Sequence, residues 1–153
     1  MTLDSFWDAC RAAVPGAPDT QPEAWYFCDN EADADELGAL VVAGTKTATC
    51  SLLWVYEAEG ERVPQVGDWS IITNWAGEPL CVIETTEVTI RPYDQIDAQF
   101  AYDEGEGDRS LAYWREAHWR FFTRECADLG RAPAQAMPLV CERFRVVYRE
   151  EDC

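Results

Sequence analysis

The sequence predicts an α+β fold: a small curled sheet or barrel of mostly antiparallel strands with helices packed outside it. Segments with strand-type alternation occupy the middle and the C-terminal end of the chain, and helical periodicity marks the stretches that flank them. A length of 153 residues with 48% hydrophobic content suits a single core. No internal repeat or low-complexity linker interrupts it.

Asp4 to Ala13 reads as a helix, with Asp4 or Ser5 as cap, Phe6, Cys10 and Ala13 on one face, and Pro15-Gly16 ending it. A loop through Pro18 and Pro22 follows. Asn30 to Ala43 is a second helix: Asn30 caps it, Glu31, Asp33 and Asp35 complement its dipole, Leu37, Leu40 and Val41 repeat at helical spacing, and Gly44 stops it. From Thr47 to Val55 hydroxyl and apolar residues alternate as in a strand. Trp69 to Asn74 and Leu80 to Ile90 are further strands, joined by Trp75-Ala76-Gly77-Glu78-Pro79, which has hairpin-turn composition. A longer helix spans Arg109 to Cys126, with Leu111, Trp114, His118, Phe121, Phe122 and Cys126 as its apolar stripe. The last strand runs from Leu139 to Tyr148.

The formal net charge of −17 opposes polyanions, because a field of that sign repels a phosphate backbone instead of steering it; a weakly charged small ligand is easier to admit. Aromatics make up 12% of the chain, enough to pack a core and stack a flat ring. The seven cysteines are scattered without CxxC or a neighbouring His pair, a spacing of neither zinc sites nor disulfide frameworks. Met1 to Ser5 lacks the charged start and apolar run of a signal peptide, and no apolar stretch reaches bilayer-spanning length. These features predict a soluble cytoplasmic protein with reduced thiols, no membrane or DNA partner, no cofactor and no metal.

One lysine, Lys46, stands against eleven arginines, inside Gly44-Thr45-Lys46-Thr47-Ala48-Thr49. Lysine can lose its proton where arginine cannot, so a lone ammonium among threonine hydroxyls is a candidate for acid–base chemistry. Thr49 meets it if the backbone kinks, since residues three apart on a straight strand face opposite ways. Asp103-Glu104-Gly105-Glu106-Gly107-Asp108 places four carboxylates before a helix, either as a solvated loop with Asp108 as cap or, with its glycines, as a loop that a ligand approaches closely. His118, the single histidine, shares an apolar stripe and reads as a packed ring, with Arg115 and Arg120 beside it.

The Lys46 string, the Val66-Gly67-Asp68 turn, the strand Cys81 to Val88, the segment Phe100 to Asp108 and the closing Cys141-Glu142-Arg143-Phe144 together resemble the ASCH domain family over about residues 24–148. The resemblance implies a PUA-like β-barrel with flanking helices, preceded here by a helical extension over 1–23, the whole forming a single domain. It also implies a pocket for RNA or a modified nucleoside. In the amidohydrolase branch, which deacetylates N4-acetylcytidine, a Lys, a Thr three residues on and a loop Glu form the active site. These match Lys46, Thr49 and Glu104, with Glu106 as the neighbouring alternative.

On this reading Thr49 attacks the acyl carbonyl with Lys46 as base, or else Lys46 stays charged and the loop glutamate takes the proton. Thr47 and Glu106 adjoin the substrate, Trp25, Tyr26 or Trp75 stacks the pyrimidine, and Arg109 and Arg115 meet phosphates if the partner is single-stranded RNA. A single-stranded RNA-binding protein or ribonuclease is the second reading, and a non-catalytic module for a small ligand or partner the third.

Overall fold

Thr2, not Asp4 or Ser5, starts the first helix: its Oγ1 accepts from the backbone N–H of Ser5 at 3.1 Å. That helix, α1 (Leu3–Ala13), buries Phe6, Trp7 and Cys10 and leaves Ala13 exposed. The computed structural model describes residues 1–150; Cys153 lies outside the described residues. Helix α2 (Glu31–Ala43) starts where the sequence places it, with Asn30 accepting from Asp33 N–H, and Gly44 closes it in the left-handed conformation at φ 81°. Strand β2 (Ala48–Leu52) is shorter than its alternation suggests. Trp54 and Val55 belong instead to helix α3 (Leu53–Glu59), where both pack against the core beneath β2.

The sheet consists of β1 (Ala24–Trp25), β2, β3 (Trp69–Thr73), β4 (Pro79–Pro92) and β5 (Pro138–Arg149), in the order β1-β3-β4-β5-β2. All neighbours are antiparallel except β1 with β3, and β1 was not legible in the sequence because two residues carry no period. Among the described residues β1 and β2 do not pair with each other, so the sheet is not closed. Strands β4 and β5 run side by side with register shifts at Val82/Ile83 and Thr85/Glu87, irregularities that bend long strands.

Side-chain alternation sorts the helices onto the two faces of the sheet. Ile71 and Val82, paired across β3 and β4, pack on Phe6, Trp7 and Cys10 of α1. Ile72 and Cys81, the next pair, pack with Leu37 and Val41 of α2. Burying each of these larger apolar side chains contributes about 1.5–3 kcal/mol. A third cluster lies under β2 and β5, where a short helix α4 (Ala98–Glu104) and the long α5 (Leu111–Asp128) bring Phe100, Trp114, Phe122 and Cys126 against Leu52 and Leu139. Ser110, not Asp108, caps α5, its hydroxyl accepting from Tyr113 N–H. No helix among the described residues is long and apolar enough to cross a membrane.

Candidate active site

Backbone hydrogen bonds pin the Lys46 segment before its side chain is considered. After Gly44, the N–H groups of Thr45 and Lys46 both donate to the Leu40 carbonyl at the end of α2. Thr47 N–H donates to Asp103 O, and Phe144 N–H donates to Thr47 O, which clamps the segment between α4 and β5. The lysine side chain turns inward and is 1% exposed. Its Nζ donates to Ala48 O at 2.8 Å, Glu104 Oε1 at 3.1 Å and Glu106 Oε2 at 3.2 Å, with Glu104 O at 3.4 Å. The Phe27 ring centre lies 5.3 Å from the ammonium.

Gly105 allows both glutamates to reach one ammonium. It sits at φ +74°, and a Cβ there would lie 2.7 Å from the Thr45 carbonyl oxygen and 3.1 Å from Lys46 Cα. The loop after α4 therefore packs directly on the backbone that carries Lys46, with Glu104 and Glu106 on either side of the glycine.

Glu104 is supplied with donors on both oxygens. Oε1 accepts from Lys46; Oε2 accepts from the Trp114 indole N–H and lies 3.4 Å from both the Cys50 sulfur and His118 Nε2. Burial pushes this carboxyl up, but Lys46, His118 and the Trp114 hydrogen bond outweigh it and hold the group well below the ordinary carboxylate value. Glu106, with one of these donors and the Glu104 charge beside it, is pushed up by burial. Lys46 is pulled down by burial and raised more strongly by Glu106 and Glu104, so it ends above the usual lysine value. A neutral Lys46 is what these surroundings disfavour, which corrects the expectation of a lysine base. Cys50 is held protonated by burial and by Glu104, leaving it a weak nucleophile.

Thr49 and Cys50 leave β2 on alternate faces. Cys50 reaches Glu104, whereas Thr49 stands opposite Glu142 in the β2–β5 register, so those two side chains project from the same face. Both line a cavity of about 1200 Å³ whose walls also include Trp25, Tyr26, Phe27, Lys46, Glu104, Glu106 and His118. Among the described residues no hydrogen bond joins the Thr49 hydroxyl to Lys46, because the alternation that takes Cys50 toward Glu104 takes Thr49 the other way.

Glu142 is 9% exposed, and its carboxylate accepts from Thr85 Oγ1 at 3.3 Å. Burial pushes its pKa up to about 7, only partly offset by that hydroxyl and by the Lys46 charge. The folded protein therefore binds this proton more tightly than the unfolded chain does. As pH rises through 4.5 toward 7 the unfolded chain ionises first, and folding loses up to about 3 kcal/mol, a penalty absent below 4.5 and complete above 7. Glu142→Gln removes that penalty, so it should stabilise the protein at pH 8 by about 1–3 kcal/mol and have little effect at pH 4, read from urea unfolding at both pH values. Equal effects at the two pH values would contradict the assignment.

The other expected contacts divide clearly. Trp25 and Tyr26 line the cavity; Trp75 is outside it, 38% exposed, with its ring 4.9 Å from that of Tyr26. Thr47 is exposed and hydrogen-bonds the Asp103 carbonyl at 3.4 Å. Arg109 is spent on the structure: its guanidinium lies 3.6 Å from the Tyr102 ring centre, and Nε donates to Tyr102 O at 2.9 Å. Arg115 lies on the far side of α5, beside Tyr93. Sequence reasoning missed Cys50, Trp114 and Glu142, and it set His118 aside as a packed ring. The four-residue spacing of Trp114 and His118, which puts them on one helix face, was the available signal for that pair. Donor atoms of Cys50, Glu104 and His118 lie within 4.8 Å of one another, but the shared Glu104 oxygen is already engaged by Trp114. The trio reads as a proton-bearing network.

A bent, open sheet flanked by helices, with a charged cluster buried in the wall of a large cavity, defines a PUA-like α+β domain. The profile of the ASCH domain matches residues 23–148, and the chain belongs to the ASCH domain family. It is similar to an ASCH domain from Lactobacillus crispatus JV V101, with 42% identity and a TM-score of 0.91 over 96% of this chain and 94% of that one. A protein of Enterococcus faecalis V583 is 37% identical with a TM-score of 0.86, over 94% of this chain and 86% of that one. Comparison with curated proteins gives no match. As a class these domains are RNA-binding or hydrolase-like.

Proposed function

We propose that the protein hydrolyses the amide of an N-acylated nucleoside, N4-acetylcytidine being the type substrate, with Thr49 as nucleophile. The observation that carries this is the pairing of Thr49 with Glu142 across β2 and β5, in a cavity that also holds the buried Lys46–Glu104–Glu106 cluster. A carboxyl held near pH 7 opposite a hydroxyl is suited to accept its proton, because a general base works best when its pKa lies near the working pH. Lys46, which stays charged, supplies fixed positive potential for the developing oxyanion, and Glu104 and Glu106 hold it in place. The cavity exceeds what a nucleoside needs, and Trp25 and Tyr26 offer faces for a pyrimidine.

The same geometry weighs against a phosphate-tracking RNA site. Carboxylates outnumber cations in the cavity wall, Lys46 is enclosed, and Arg91 is 3.7 Å from the Asp97 carboxylate. A mass-spectrometric assay of a panel of N-acylated nucleosides tests the proposal. The parent should release the free nucleoside and the acid, Thr49→Ser should retain turnover, and Thr49→Ala should abolish it. Absence of turnover across the panel, or full activity in Thr49→Ala, would refute it.

A further inference from the structure

His118 lies between two acceptors. On one side its Nδ1 is 2.9 Å from the Trp114 carbonyl oxygen; on the other its Nε2 is 3.4 Å from Glu104 Oε2. The ring stacks on the Trp114 indole, with centroids 4.2 Å apart and planes within 17°. A carbonyl oxygen only accepts. Glu104 also accepts only, since an ammonium and an indole N–H already point at its two oxygens, and a proton on the carboxyl would meet one of these donors. A neutral imidazole has one N–H and one lone pair, so it would turn the lone pair toward one of the two oxygens. The ring satisfies both only with both nitrogens protonated.

We infer that His118 is held as an imidazolium in the cavity wall and donates the proton that the departing amine needs; the second half of this inference rests on the hydrolysis proposed above. Lys46 and His118 face Glu104 and Glu106, two cations against two anions, and the Cys50 thiol beside them stays neutral. Burial pulls the imidazolium toward neutrality, and the charges and hydrogen bond of Glu104, then the charge of Glu106, more than offset it.

The proton accounting closes over two steps. In acylation the Thr49 Oγ–carbonyl bond forms, the carbonyl–nitrogen bond breaks, the hydroxyl proton passes to the Glu142 carboxylate, and the His118 Nε2 proton, which faces Glu104 Oε2 at 3.4 Å in the resting site, passes to the amine, which leaves neutral. In deacylation water attacks the acyl-threonine, one of its protons restores the imidazolium, and Glu142 returns its proton to Thr49 Oγ as the ester bond breaks. The sum is amide plus water to carboxylic acid plus amine.

The chain has one histidine, so its ring resonances are unambiguous. Long-range ¹H–¹⁵N correlation of the uniformly labelled protein should show both ring nitrogens protonated at pH 7, with a midpoint above that of free histidine, and the midpoint should fall in Glu104→Gln. A ring with one pyridine-type nitrogen at pH 6 would overturn the imidazolium. His118→Gln should lower kcat on the acylated nucleoside about 100-fold while sparing first-turnover release of 4-nitrophenolate from 4-nitrophenyl acetate, a leaving group that departs as an anion and needs no proton. An equal loss in that first-turnover release, or no loss on the amide, would overturn the donor role. If the parent releases no amine from any amide, the donor role falls with the hydrolysis reading, and the spectrum alone still decides the protonation state.

Discussion

Lys46→Met should lower the stability of the folded protein by about 3–5 kcal/mol, measured by urea or guanidinium unfolding at pH 7.5. The size follows from what remains after the change. Glu104, 1% exposed, loses the cation at 3.1 Å, and Glu106, with its side chain 19% exposed, loses the one at 3.2 Å. Two neighbouring carboxyls then share a pocket with only His118 to offset them. A buried ion pair and an apolar replacement of the same shape can be close in energy, but removing one partner alone strands the other charge. Methionine is the stringent choice because it keeps most of the packing against Phe27 and discards the charge.

The pH dependence separates this cause from a packing defect. In the parent, the depressed Glu104 contributes stability that is present above the ordinary carboxylate value of 4.5 and is lost as pH falls toward its depressed folded value. The variant lacks most of that contribution. The gap between parent and variant should therefore be widest near neutrality and shrink on acidification below pH 4.5, as the stranded carboxyls take up protons. Glu106→Gln in the Lys46→Met background should recover part of the loss. A gap that stays constant from pH 8 to pH 3.5 would assign the loss to packing.

Lys46 could be found in the sequence because it is unique, and a residue type used once is easy to separate from the solvated surface. Glu104 and Glu106 were legible as alternatives for one role. That both meet the same ammonium depends on a contact between segments far apart in the chain, which spacing does not encode. His118 illustrates the converse problem: its stripe with Trp114, Phe121 and Phe122 is the pattern of a packed ring, and it is packed, with the indole on one face. What periodicity could not supply is the acceptor at each ring nitrogen, one of them on another helix.

The fold was more legible than the site because it rests on local pattern. The helix starting at Asn30, the hairpin near Gly77 and the closing strand follow capping, turn and alternation rules, and each lies within two residues of its expected bounds. Where the reading failed, a long-range contact took over: Trp54 and Val55 alternate with their neighbours like strand residues, yet they turn into α3 to cover the cluster beneath β2. Glu142 was missed for the same reason that His118 was set aside. Its importance lies in register, since only the pairing of β5 with β2 sets it against Thr49.

Gly105→Ala should cost about 3 kcal/mol and break the site at the same time. Its φ of +74° disfavours any residue with a Cβ by about 1–2 kcal/mol. The added methyl would stand 2.7 Å from the Thr45 carbonyl oxygen and 2.9 Å from the Thr45 carbonyl carbon, both backbone atoms of a segment pinned at Leu40, Asp103 and Phe144; overpacking of that kind costs about 1–3 kcal/mol more. The segment is held on three sides, so relief comes from the α4–α5 loop moving away, and that motion draws Glu104 and Glu106 off Lys46. The single histidine reports the movement, because His118 loses the Glu104 partner at Nε2. Thermal or urea unfolding should show the loss of stability, and the His118 ring should titrate lower, toward the value of free histidine. Gly130→Ala, also at positive φ but with open space around the added methyl, should cost only the backbone part and leave the His118 midpoint where it was. If both alanine variants lose the same stability and neither moves the ring, close approach of the loop to Lys46 is not what assembles the cluster.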